Sequence, residues 1–225
     1  MVIRKVNQTD FDKIAAGYLL RKVLQKPDAN IGLAGGNTAR PIFQALVEGA
    51  SVLGVDFSQV TFFSVDEYAG AERRHPGSCL GRFYQQLLDP LKIKEEQICC
   101  FNPKIAESEA EAECRRVTAA IRQRGGIDFQ LLGLGADGHI GFVQPGTPFD
   151  TPAHTRAFSP AFRESRIPMF GSLEQVPQLG MTLGIPECMA CKEILLAASD
   201  PSKAEIVKAL STGAVTLHIP ASILN

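Results

Sequence analysis

Apolar runs of strand length alternate with amphipathic stretches along the whole chain. Strand-like runs occupy residues 30–36, 60–68, 97–101, 127–135, 181–185 and 193–199. Helical spacing of apolar residues marks 9–26, 38–50, 78–92, 107–123 and 201–210. Near-continuous apolar strands separated by helices are typical of a parallel sheet that is covered on both faces. The pattern therefore predicts the α/β class, with an open, mostly parallel sheet and helices on both faces.

One long segment, residues 144–178, breaks this alternation. It is rich in Pro, Ser and Arg and has no regular period. A long segment of this kind within a folded domain is typical of a lid over a binding site. Since no linker, repeat or low-complexity tract interrupts the chain, we expect a single domain over 1–225, with 144–178 as an irregular lid.

Composition narrows the classes of partner and the compartment. The formal net charge is -1 and no long run of one sign appears, so neither nucleic acid nor an anionic membrane is expected as an obligatory partner. The first residues lack the apolar region of a secretory signal, and no apolar segment approaches the roughly 20 residues that span a bilayer. We therefore expect a cytoplasmic protein.

The six cysteines do not resemble a disulfide framework in a chain of 225 residues. Cys188 and Cys191 form one C-x-x-C pair, but a zinc site needs a second pair of ligands at matching spacing. We expect buried thiols and no metal.

Three of the predicted strands end in loops that carry polar side chains. The loops are AGGNT (34–38), VDEY (65–68) and GADGH (135–139). In sheets of this class, ligands bind at the carboxyl ends of the strands, so the three loops are expected to meet in one site.

The AGGNT loop has the composition of an anion site. Gly35 and Gly36 let backbone N–H groups approach a ligand, Asn37 and Thr38 add side-chain donors, and a helix N-terminus follows. A tight turn with Thr38 as an N-cap is the structural alternative.

The other two loops carry groups suited to proton transfer. Adjacent residues on a strand face opposite ways, so only one of Asp66 and Glu67 can point into a given cleft. A partly desolvated carboxylate there would have a raised pKa, which suits a general base. Asp137 could orient His139 and stabilise its protonated form. The alternatives are a solvated strand end with a helix-capping acid and a structural histidine on a turn.

Several cations have no evident partner in the sequence. Arg156, Arg163 and Arg166 lie in the segment 144–178, and Lys203 lies in the first turn of a late helix, where the helix dipole disfavours a cation unless an anion binds nearby. Solvated surface charge is the alternative for each arginine. Together with the three loops, these cations indicate a small anionic substrate, most simply a phosphate ester.

Several longer motifs occur in a familiar order: IGLAGGNTARPIFQAL, VTFFSVDEYAG followed by HPGSC, LLGLGADGHIGF, QVPQLGMTLGI, SKAEIVKAL and HIPASIL. From about residue 10 onward, the chain resembles the glucosamine-6-phosphate deaminase/isomerase family, which shares its fold with the 6-phosphogluconolactonases. The resemblance implies a Rossmann-like fold of the sugar-phosphate isomerase type. The expected partner is a small-molecule sugar phosphate, and the resemblance is compatible with a homo-oligomer.

The resemblance also implies residue roles. Asp66 matches the base that moves a proton between C2 and C1, and His139, with Asp137 as its partner, matches the residue that assists ring opening. Two further substrate contacts are implied at Glu67 and Gly138. The implied phosphate ligands are Gly35, Gly36, Asn37, Thr38, Arg166 and Lys203. In the deaminase branch, such a site converts a hexosamine 6-phosphate to a ketohexose 6-phosphate and ammonia without a cofactor.

Two departures from the family pattern keep other functions open. Deaminases usually read GHIAFNEP where this chain reads GHIGFVQP, so Val143 and Gln144 replace Asn and Glu. Gln144 then joins Asp137 and His139 as an amide that cannot carry charge. Family members generally continue beyond the IPAS segment by about one strand and one helix. We therefore expect this chain to be either a short variant of the family or a truncated form. A 6-phosphogluconolactonase-type hydrolase and a non-catalytic sugar-phosphate-binding protein are the alternatives to the deaminase.

Overall fold

The computed structural model of the protein describes residues 1–225, and a four-stranded parallel sheet lies at its centre. The strands are β1 (Asn30–Leu33), β2 (Thr61–Ser64), β4 (Phe129–Gly133) and β7 (Ile194–Ala197), in the spatial order β2-β1-β4-β7. Ile31 lies beside Phe62 on one side and Phe129 on the other. The predicted α/β class and parallel sheet are confirmed.

Eight α-helices connect and cover the strands. They are α1 (Gln8–Gln25), α2 (Ala39–Leu53), α3 (Cys79–Phe83), α4 (Ala110–Gln123), α5 (Pro160–Glu164), α6 (Ile167–Phe170), α7 (Ile185–Met189) and α8 (Ala204–Ser211). A short π-helical stretch, Tyr84–Leu88, continues α3, and a 3-10 turn, Pro201–Lys203, precedes α8. None of the helices is both long enough and apolar enough to cross a membrane.

The core lies on both faces of the parallel sheet, because successive side chains of a strand point to opposite faces. Phe62 and Leu131 pack in one buried cluster with α1 and α2, whereas Phe63 and Leu132 pack in the other with α4 and α8. Burial on both faces explains why these strands are apolar without alternation.

The structure differs from the prediction at three of the expected strands, 60–68, 97–101 and 181–185, the last of which contributes to an antiparallel strand. The run 60–68 is split after β2, and its second part forms β3 (Asp66–Ala69) in a separate antiparallel sheet with β6 (Leu179–Thr182) and β5 (His154–Ala157). Residues 97–101 contribute only one bridge, between Phe62 and Ile98. Periodicity cannot reveal these changes, since an apolar run reads the same in either sheet.

The segment 144–178 contains more regular structure than its composition predicts. Within it, β5 pairs with β6 along its length, and α5 and α6 follow. Phe158, Phe162 and Phe170 then pack against Tyr68 and Phe142. Spaced phenylalanines therefore fasten the segment to the sheet that carries Asp66.

Candidate active site

The three polar loops meet at the carboxyl edge of the parallel sheet, and helix α3 lies between them. A methyl carbon placed on Gly35 would lie 3.5 Å from both Cys79 Cβ and an Arg82 nitrogen. Cys79 Sγ lies 3.6 Å from Asp66 Oδ1. A methyl carbon placed on Gly141, just after His139, would lie 3.9 Å from Asp66 Cβ. The predicted convergence of the loops is present in the fold.

In the AGGNT loop, the side-chain donors have no protein partner. Asn37 is exposed, Thr38 is partly buried, and neither side chain forms a hydrogen bond. Thr38 therefore does not act as a side-chain cap of α2, in contrast to the structural alternative. The loop leaves both side chains available to an anion at the N-terminus of α2, where the Ala39 N–H already donates to the Gly36 carbonyl.

Asp66 opens β3 and is 9% exposed. Its one side-chain hydrogen bond comes from the Cys79 thiol. Burial raises the pKa of Asp66, while the charge of Arg82, the thiol bond and the charges of His139 and Arg166 act to lower it. A nearly buried carboxylate that faces cations and forms few bonds is suited to accept a proton.

Glu67 points the other way and is completely buried. Its Oε1 accepts N–H bonds from Tyr68 and Cys79, and its Oε2 accepts one from Leu80 at 2.6 Å. Burial raises the pKa of Glu67 to about 7, although these three bonds act in the opposite direction. Glu67 has no exposed surface and caps the first turn of α3, so the expected substrate contact there gains no support from its surroundings.

Asp137 and His139 form the predicted pair. His139 Nδ1 lies 2.6 Å from Asp137 Oδ1, and the same oxygen accepts the backbone N–H of His139. Partial burial acts to raise the pKa of Asp137, but the charge of His139 and its hydrogen bonds outweigh this and lower it. The imidazole packs directly against Gly135, where no side chain would fit. The Asp137 bond leaves Nε2 of His139 as the free ring nitrogen.

Gly138 shapes this loop from behind. Its φ is +86°, and a methyl group there would lie 2.6 Å from Ile219 Cγ2 and 3.2 Å from Ile206 Cδ1. The residue is buried, and its carbonyl accepts the N–H of Ala221. Gly138 therefore fixes the turn, and the expected substrate contact there gains no support from its surroundings.

Gln144 lies at the end of the same loop and is partly buried. Its side chain forms no hydrogen bond, to His139, to Asp137 or to any other residue, and only its backbone carbonyl is bonded, by Thr147. The Asp137–His139 pair is thus formed without a third member.

The predicted cations divide into two kinds. Arg163 donates to the carbonyls of Leu173 and Val176 and is structural. Arg166 lies 4.6 Å from the ring centre of Phe162, acts on the pKa of Asp66, and keeps a buried Nε without a partner.

Lys203 and Arg156 lie on other elements than Arg166. Lys203 is partly buried without an ion pair, at the start of the helix whose Ile206 contacts Gly138. Arg156 lies on β5, where burial lowers its pKa and the charge of Asp137 acts in the opposite direction.

Two residues in the site were not predicted. Cys79 and Arg82 lie three residues apart on α3 and both face Asp66. The signal available in the sequence was HPGSCLGR directly after VDEY, but only the fold shows that α3 turns back over the strand end. The C-x-x-C pair has neither a hydrogen bond to Asp66 nor the ligands of a metal site. Cys188 is buried, and Cys191 donates to the Glu187 carbonyl. No three metal-ligand side chains cluster anywhere in the chain.

The family model of glucosamine-6-phosphate isomerases/6-phosphogluconolactonase matches residues 12–225. The chain belongs to this family. A glucosamine-6-phosphate deaminase from Halalkalibacterium halodurans is 38% identical, over 100% of this chain and 90% of the relative. A solved structure of a monomeric glucosamine-6-phosphate deaminase superposes with a TM-score of 0.91 at 32% identity, covering 99% of this chain and 91% of the other.

The second branch of the family is more distant. A 6-phosphogluconolactonase from Plasmodium vivax superposes with a TM-score of 0.73 at 16% identity, covering 97% of this chain and 83% of the other. Similarity at that level shows the shared fold alone. Within the glucosamine-6-phosphate isomerase/6-phosphogluconolactonase family, this chain is therefore similar in sequence to the deaminases and only in fold to this lactonase.

Proposed function

We propose that the protein is an amino sugar phosphate isomerase/deaminase. It converts a hexosamine 6-phosphate, of the glucosamine or galactosamine type, and water to a ketohexose 6-phosphate and ammonia. The observation that carries this proposal is the meeting of Asp66, the Asp137–His139 pair and the AGGNT loop at one edge of the sheet. Full-length identity of 38% to a relative named glucosamine-6-phosphate deaminase supports the glucosamine epimer.

The substrate phosphate is held by the AGGNT loop and nearby cations. Backbone N–H groups of Gly35 and Gly36, the side chains of Asn37 and Thr38, and the N-terminus of α2 together form an anion site. The unpaired Nε of Arg166 is costly to bury unless a ligand oxygen accepts its hydrogen. Lys203, which has no ion pair, is the remaining phosphate cation.

Ring opening is assigned to His139. Its protonated imidazole gives a proton to the ring oxygen O5 and takes one from the hydroxyl at C1, which leaves an open-chain aldehyde. Asp137 accepts the bond from Nδ1 and so keeps Nε2 directed at the substrate. The buried contact with Gly135 fixes the plane of the ring.

Isomerisation and deamination follow on the open chain. Asp66 removes the proton from C2 while the carbonyl O1 takes a proton from the His139 imidazole. Asp66 then delivers its proton to C1, and the nitrogen lone pair forms a C=N bond at C2. Water hydrolyses this bond to the ketone, and the nitrogen leaves as ammonium, which carries away the proton that His139 supplied.

The direct test is incubation with glucosamine 6-phosphate and, separately, galactosamine 6-phosphate, with ammonia and ketohexose 6-phosphate both measured. We expect the two products in equal amounts with at least one of the sugars. Absence of both products with either sugar, at high enzyme concentration, would contradict the proposal. A parallel assay of 6-phosphogluconolactone hydrolysis tests the lactonase alternative, which no specific contact in the site favours.

Gln144 motivates one further test, because an amide could mark a site that binds without turnover. The Asp137–His139 pair stands without Gln144, so we expect the wild-type protein to turn over. Gln144→Glu places a carboxylate where the family pattern has one, so ammonia release by this variant compared with the wild-type protein tests whether the amide limits turnover. Thermal stabilisation by hexose phosphates without turnover, together with activity that appears only in Gln144→Glu, would establish the binding role instead.

The remaining expectations accompany the proposal. Residues 144–178 are proposed to act as the lid within a single domain of 1–225. A cytoplasmic location, independence from nucleic acid and a homo-oligomeric state stay predictions from the sequence.

A further inference from the structure

Helix α3 presents two side chains to Asp66 that the proposed reaction does not use. Arg82 Nη2 donates to Cys79 Sγ at 3.5 Å, and the Cys79 thiol in turn donates to Asp66 Oδ1 at 3.6 Å. The two residues lie three positions apart, which places them on one face of the helix. The result is a chain of contacts from a guanidinium, through a thiol, to the carboxylate of Asp66.

The position of this helix is firmly determined. Glu67 accepts the N–H groups of Cys79 and Leu80, and the Ser78 hydroxyl accepts the N–H of Gly81. Arg82 Nε is also tied, to the Ser78 carbonyl at 3.2 Å. Cys79 and Arg82 are therefore held at Asp66 by backbone bonds, not by the carboxylate itself.

Asp66 needs such neighbours if it is to be ionised. It is 9% exposed, and the completely buried carboxyl of Glu67 follows it in the chain. A buried carboxylate without compensating bonds or cations is strongly disfavoured. The charged and titratable groups that interact with Asp66 are Arg82, Cys79, His139, Arg166, Tyr68, Cys188 and, from the other side of the strand, Glu67.

Of the three basic residues in this group, Arg82 is the one that has no other role in the proposed site. His139 is paired with Asp137, and the proposed mechanism gives Arg166 to the phosphate. Arg82 forms no ion pair, and its hydrogen bonds go only to Ser78 and Cys79. Burial raises the pKa of the Cys79 thiol well above its usual value, so the sulfur keeps its hydrogen and can donate it.

We propose that Cys79 and Arg82 are positioning residues that hold Asp66 in its ionised form and direct it at C2. This inference deepens the proposed function and rests on it for the role of Asp66. Arg82 supplies the positive charge, and Cys79 supplies the one hydrogen bond and transmits the polarisation of the guanidinium. Hydrogen bonds in such a chain strengthen one another.

The test is the ionisation of Asp66 itself, followed by carbon-13 NMR of labelled aspartate side chains over a pH titration. The resonance of Asp66 is the one absent from Asp66→Asn. Arg82→Gln removes a nearby positive charge, so the midpoint of Asp66 should rise by about one pH unit or more. Cys79→Ala should raise it by less, whereas Arg82→Lys and Cys79→Ser should restore most of the wild-type midpoint.

Activity gives a second readout. The acid limb of kcat/KM against pH should move upward with the NMR midpoint in Arg82→Gln and in Cys79→Ala. Arg74→Gln is the matched control, since it removes one exposed arginine that pairs with Asp89 and does not face Asp66. That control should leave both the midpoint and the acid limb unchanged.

The outcomes separate this inference from the proposed function. An unchanged Asp66 midpoint in folded Arg82→Gln, or an equal shift in Arg74→Gln, would overturn the positioning role. A higher KM with an unchanged pH profile would also overturn it, because Arg82 would then be a substrate contact. If the wild-type protein releases no ammonia, the proposed function fails, yet the NMR titration still decides whether α3 controls Asp66.

Discussion

Substitution of Gly135 should affect activity far more than stability, because the His139 ring lies against this residue. A methyl carbon placed on Gly135 would lie 2.5 Å from His139 Cγ and closer still to two other ring atoms. Carbon atoms normally approach one another no closer than about 3.5 Å, so in Gly135→Ala the imidazole must move by about 1 Å or more. A displacement of that size can reduce the rate by about 100-fold.

The cost to stability should be much smaller. The side chains of Asp137 and His139 are 49% and 35% exposed, so loss of their pairing is worth about 1 kcal/mol or less. We therefore expect Gly135→Ala to lose about 100-fold in kcat while its free energy of unfolding falls by about 1 kcal/mol or less. Ammonia release and urea denaturation measure the two quantities.

Gly133→Ala is the matched control for this change. Gly133 ends β4 two residues earlier, and a methyl group there meets nothing within 4 Å. This variant should keep near wild-type activity and stability. The reasoning would be refuted if Gly135→Ala retained full activity, or if Gly133→Ala lost as much.

Two further predictions concern what holds the site together. Gly138→Ala combines a positive φ with a clash against Ile219, so it should lower the free energy of unfolding by about 2–4 kcal/mol. Gly146→Ala has a similar φ of +87° but lies in open space, so it should lower that free energy by only about 1–2 kcal/mol. Equal losses for the two variants in urea denaturation would contradict this prediction. Glu67→Gln places an amide N–H against a backbone donor, so it should lower the free energy of unfolding by about 1–3 kcal/mol. Exposed Glu72→Gln is the control and should change thermal unfolding little. Matching thermal transitions for the two variants would count against the capping role of Glu67.

Much of this architecture could be read from local patterns. Apolar runs without alternation predicted the buried parallel strands, and polar residues at the ends of the strands predicted the edge where the loops meet. The Asp137–His139 pair could also be anticipated, since residues two apart on a glycine turn are brought together by the turn itself. In each case, the sequence signal is local: the burial pattern of one strand, the residues that follow it, or the geometry of one turn.

Contacts distant in sequence could not be anticipated. The departure of β3 into a second sheet depends on its pairing with β6, more than 100 residues later, and the run of apolar letters is the same with or without that pairing. The environment of Asp66 likewise depends on α3 folding back over it. The HPGSCLGR segment alone therefore could not show that Cys79 and Arg82 face Asp66. The capping role of Glu67 likewise depends on its three N–H partners, two of which lie on α3.

The central claim is that Asp66 carries the proton between C2 and C1 of an amino sugar phosphate. The most direct measurement is turnover of glucosamine 6-phosphate in deuterated water by the wild-type protein and by Asp66→Asn. We predict that the wild-type protein releases ammonia and forms a ketohexose 6-phosphate that carries at C1 either the hydrogen taken from C2 or, where the Asp66 proton exchanges with solvent before delivery, deuterium. Asp66→Asn should slow ammonia release and ketose formation by about 100-fold or more. Wild-type rates in Asp66→Asn, or ammonia release without the ketose, would contradict the account.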